Sequence, residues 1–115
     1  MTEEKLKKLC LKWQKLLRLE DWDIKVSFSK REELYDVESE ADCNIDVEYK
    51  QVSINVVNEE SRLKDNHGKI VDTENLLIHE LLHIYVKCEH SIREMEIAIN
   101  MITMALVKLD RKKKK

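Results

Sequence analysis

The segment His79-Glu80-Leu81-Leu82-His83 is where residue type and spacing imply chemistry. Residues four apart on a helix share a face, so both imidazoles can reach one metal ion. Neutral imidazole suits zinc, and a catalytic zinc site takes three protein ligands and a water. Glu80, beside the first imidazole, is placed to accept a proton from that water as general base. Leu76 to Val86 is otherwise almost wholly apolar. Polar groups in such a stretch need partners, because burying one unpaired costs about 2 kcal/mol or more. The expected cofactor is Zn2+, one per chain, held in part by His79 and His83.

Downstream candidates for the third ligand are Cys88, Glu89, His90, Glu94 and Glu96. The H-E-x-x-H-x-x-G-x-x-H arrangement would put its third histidine at position 89, which is Glu89, and needs a glycine that is missing. Ser91 and Glu94 have the spacing of a capping box, which predicts a helix over about 92–110. At about 100° per residue, Ile92, Met95, Ile99, Ile102 and Leu106 form one apolar face of it. Glu96 flanks that face, whereas Glu94 points away and already serves the cap. Glu96 is therefore the expected third ligand. Asn100, one turn later, is expected to hydrogen-bond a ligand imidazole, and Thr103 continues the polar line.

These helices need a scaffold. Leu6, Leu9, Cys10, Trp13, Leu16 and Leu17 make a helical stripe in residues 3–20, with Thr2 at its start. From Trp22 the period becomes two, through Ile24, Val26 and Phe28, which predicts a strand. Alternation returns at Cys43, Ile45, Val47 and Tyr49 and again at Val52, Ile54 and Val56, predicting an antiparallel hairpin. The polar segments 29–40 and 58–72 read as loops. Asp72 begins the active-site helix, expected over 73–87. The order predicts an α+β fold: an N-terminal helix, a small three-stranded sheet, then two helices.

Composition narrows the class. The chain has 115 residues, no proline, one glycine (Gly68) and a net charge of −2. That length supports one domain, expected over 1–110, with a basic tail at 111–115. With so few glycines, turns must rely on Asn, Asp and Ser. No apolar run reaches the roughly 20 residues that cross a bilayer, so no membrane role is expected. Cys10, Cys43 and Cys88 are odd in number and far apart, which predicts reduced thiols and a cytoplasmic protein. The first 107 residues carry 15 Lys and Arg against 22 Asp and Glu. An acidic body argues against nucleic acid as a partner.

The two motifs resemble those of the gluzincin metallopeptidases, in their minimal single-domain form. His79, Glu80 and His83 match the first motif, and Glu96-Ile97-Ala98-Ile99-Asn100 matches the second, E-x-x-x-D, with asparagine replacing aspartate. The resemblance implies a zinc-dependent peptidase acting on a peptide or protein substrate. His79, His83 and Glu96 would be ligands, Glu80 the general base and Asn100 the brace of a histidine. It also implies a substrate-binding edge strand, expected at Ser53, Ile54 and Asn55. The alternative is a catalytically latent zinc module that binds a partner protein. Ile97, Met101 and Met104 lie opposite the core face of the last helix, which allows a homodimer through that helix.

Overall fold

The computed structural model describes residues 1–34, 36, 38–85 and 92–113. Helix α1 (Glu3–Leu16) starts where sequence chemistry favours it: Thr2 is extended and its side chain accepts the Lys5 N–H at 3.2 Å. Leu6, Cys10 and Trp13 form its buried stripe. The apolar period continues past Leu16, but the helix does not. Arg18 turns left-handed (φ 57°), and the Leu19 and Arg18 N–H groups reach back to the carbonyls of Gln14 and Lys15 at 2.8 and 3.1 Å. This closure normally uses glycine at the left-handed position. Gln14 then holds the following turn, its Nε2 donating to the Leu19 and Trp22 carbonyls.

Strands β1 (Asp23–Ser29), β2 (Ala41–Asp46) and β3 (Gln51–Val57) form one sheet in the order β1-β3-β2. Val52, Ile54 and Val56 are buried on one face, while Ser53 and Asn55 alternate onto the other. The hairpin forms as expected, β2 antiparallel to β3 with Cys43 opposite Ile54. Asp46 Oδ1 accepts the Tyr49 N–H in its turn, and Lys50 takes φ 52°.

β1 pairs in parallel with the other side of β3, Val26 opposite Ile54. This corrects the expectation that Ser53, Ile54 and Asn55 form an edge. The 30–40 connection carries the chain across the sheet, so β3 becomes the centre strand and both its sides are taken by neighbours. Among the described residues, the open edge of the hairpin belongs to β2.

Helix α2 (Thr73–Leu82) packs on the sheet through Leu77, Ile78 and Leu81, all 0% exposed. It is shorter than expected: residues 83–85 continue as a turn, and 86 and 87 lie outside the described residues. Helix α3 (Ile92–Lys113) packs against α2 and buries Ile99, Thr103 and Val107. It runs past 110 into the expected tail. Arg111 lies in the helix and bonds Asp72 at 2.6 Å and Glu74 at 3.2 Å. Asp72 thus serves Arg111 and makes no side-chain cap on α2. Glu74 also accepts the Trp13 indole N–H at 2.7 Å, which ties α1, α2 and α3 together at one carboxylate. The result is a mixed α+β fold with helices on one face of a three-stranded sheet. Among the described residues, no helix is long and apolar enough to cross a membrane.

Candidate metal centre

His79 lies in the last turn of α2 and His83 caps it in right-handed conformation, so the i, i+4 relation survives the early end of the helix. The two rings meet edge to face, with centroids 5.0 Å apart. Both Nε2 atoms point at α3, where the Glu96 carboxylate spans them: Oε2 lies 2.7 Å from His79 and Oε1 2.9 Å from His83. Glu80 stands further off, its carboxylate 4.0 Å from His79 Nε2. Ligand atoms of His79, Glu80 and His83 fall within 4.8 Å of one another, a grouping compatible with a metal ion. By distance, Glu96 is the carboxylate that shares both imidazoles and Glu80 is the neighbour that does not.

Asn100, one turn along α3, holds the other side of His79: its Oδ1 lies 2.8 Å from Nδ1. An amide oxygen accepts only, so Nδ1 carries the proton. In the neutral ring Nε2 is then a lone pair facing a carboxylate oxygen at 2.7 Å. Two acceptors this close repel unless a proton or a metal cation lies between them. A cation held there would relieve that repulsion, with His79, His83 and Glu96 as the residues that would hold it. Two imidazoles and one carboxylate, with the tautomer of one imidazole already set, suit zinc.

The electrostatics separate the roles further. Burial holds the His83 imidazole below its ordinary pKa against the opposing pull of the Glu96 carboxylate, and the neutral ring is the form that ligates. Burial pushes the Glu80 carboxyl up to about 7, against the opposing effects of His79 and a hydrogen bond from Cys43. A carboxylate near neutrality is suited to take and return a proton.

Cys43, on β2, donates that bond from the core face of the sheet. Burial, with Glu80 beside it, raises its thiol above the usual range. In the metal-free protein both influences favour the thiol, a donor to Glu80. The sequence places Cys43 in an alternating strand run as a reduced thiol; its contact with Glu80 is a tertiary one, and the period-two register that puts it on the core face was the available signal for it.

Of the other candidates, Cys88, Glu89, His90 and Ser91 lie outside the described residues, as does the side chain of Glu94. Ser53, Ile54 and Asn55 sit on the centre strand and offer no open backbone edge. Compared with family models, curated proteins and solved structures, the chain matches none.

Proposed function

We propose that this chain is a zinc-dependent peptidase. The observation that carries the reading is the Glu96 carboxylate spanning the Nε2 atoms of His79 and His83, with Glu80 beside them but outside the pair. The likeness of both motifs to the gluzincin pattern points the same way. His79, His83 and Glu96 would hold the metal, and Asn100 fixes the His79 tautomer that leaves Nε2 free to ligate. A zinc ion held there supplies an acidified water and polarises a substrate carbonyl. Glu80 would take the proton from such a water and pass it to the leaving amine. Cys43 holds the Glu80 carboxylate by its thiol hydrogen bond. The open edge of β2, which carries Cys43, is where an extended substrate backbone would pair.

The test combines metal content with cleavage of an unfolded protein. The parent chain should carry about one zinc and cleave. Glu80→Gln should keep the zinc and lose about 10²- to 10⁴-fold in rate, the usual contribution of a general base. Glu96→Ala should lose the zinc. If the parent and Glu80→Gln are equally inert with zinc bound, the latent binding module replaces the peptidase.

A further inference from the structure

We propose that the open edge of β2 selects extended peptide segments carrying Lys or Arg at alternate positions. The functional meaning of this selectivity rests on the peptidase reading; the selectivity itself is a property of the strand. The Val57 N–H bonds the Glu40 carbonyl at 2.9 Å, and the register places these two residues opposite each other. Bonded positions alternate along an antiparallel pair. Asp42, Asn44 and Asp46 therefore bond inward to β3, and Ala41, Cys43 and Ile45 turn their N–H and C=O groups to the open side. Among the described residues, no backbone group from outside the sheet bonds these three.

A strand added at this edge would alternate its own side chains. One set falls on the helix-packed face, on the side of Cys43 and Glu80. The other falls on the solvent face beside Asp42, Asn44 and Asp46, at the roughly 5 Å spacing of cross-strand neighbours. That second set meets a one-sided charge. Residues 32–49 contain eight Asp and Glu and no Lys or Arg. Asp46 and Glu48 are exposed, and Asp42 is half-buried with its carboxylate turned to Asn55 Nδ2 at 3.1 Å. Lys50 at one end of this run bonds Asp21 at 2.7 Å, outside it, while Arg31 at the other end bonds Glu40 and so offsets the charge at the start of β2 rather than at Asp42 to Glu48. Lys64 and Lys69 gather with Glu38 and Glu40 around the start of the strand. The acidic field is thus concentrated over Asp42 to Glu48. Opposite charges directly across a strand pair favour binding, and like charges oppose it.

The experiment measures binding without turnover. Zinc-loaded full-length Glu80→Gln is titrated with labelled peptides of one length, alternating Thr with Lys or Thr with Glu, and anisotropy is read. The Lys peptide should bind at least about fivefold tighter at low ionic strength, the equivalent of one cross-strand charge pair, with the gap narrowing in high salt. Asp42→Asn with Asp46→Asn should remove most of the preference. Asn44→Lys alone, at an exposed position on the same face between the two aspartates, should weaken or invert it. Equal affinities, binding of neither peptide, or a preference unmoved by these changes would overturn the proposal. Cleavage by the parent separates the two readings: turnover without charge preference refutes the selectivity and leaves the peptidase. Charge-selective binding with no turnover by the parent does the reverse.

Discussion

Glu80 carries two demands that conflict. It must be buried to sit beside the imidazoles, and it must ionise to act as a base. Burial raises its pKa to about 7, so the folded chain binds a proton more tightly than the unfolded chain, where glutamate titrates near 4.5. The sign follows: stability from this group is fully present below about pH 4.5 and is lost as pH rises through about 7. In the metal-free protein, Glu80→Gln should therefore raise the melting temperature relative to the parent at pH 8, with the difference narrowing toward pH 5. An equal difference at both values would show that burial of the charge is not the cause. Asn100 makes a separate prediction. Removing its oxygen in Asn100→Ala frees the His79 tautomer and should weaken zinc binding about 10- to 100-fold, the usual cost of losing such a brace. Asn100→Asp keeps the acceptor, adds charge, and should bind zinc at least as tightly as the parent by competition with a chelating dye.

Among the elements, the turns show how the fold manages with one glycine. Aspartates do much of the work, as expected: Asp46 holds the hairpin turn, and Asp65 takes the N–H groups of His67 and Lys69. Two left-handed positions fall to residues that do not favour them, Arg18 and Lys50. At Arg18 the closing bonds come from the backbone, so glycine can replace it without losing them. Arg18→Gly should stabilise the chain by about 0.5–1 kcal/mol, read as a higher midpoint in chemical denaturation. The end of α1 was not legible from its pattern, since Leu16 and Leu17 prolong the apolar stripe beyond Arg18. The strands were legible individually, because alternation is local. Their order was not. Nothing in the alternation of β1 tells which side of the hairpin it joins, and that choice moved the open edge from Ser53–Asn55 to β2.

Over the whole molecule, the proposed metal donors belong to α2, its cap His83 and α3, and each helix is anchored independently of them. Glu74 gathers Trp13 and Arg111 at the far end of α2, and Ile99 locks α3 against the core. A zinc ion shared by His79, His83 and Glu96, as proposed, would add a cross-link between α2 and α3 that exists only in the folded chain. Chelation of the zinc-loaded protein should therefore lower its melting temperature. Glu96→Ala should start at the lower value and respond little to chelator. A melting temperature indifferent to chelation in the parent would show that the two helices are not joined through metal.

The H-E-x-x-H spacing and the helical angle between Glu94 and Glu96 are local properties, and they pick out His79, His83 and Glu96, the side chains that the tertiary structure brings together. Helix periodicity and strand alternation likewise specified the α+β class. The position of Cys43 against Glu80, the reach of α3 through Arg111 to Asp72, and the centre place of β3 depend on contacts between residues distant in sequence. Such contacts are decided by which apolar faces cover one another, and a pattern within one segment carries the shape of its own face but not the identity of its neighbour.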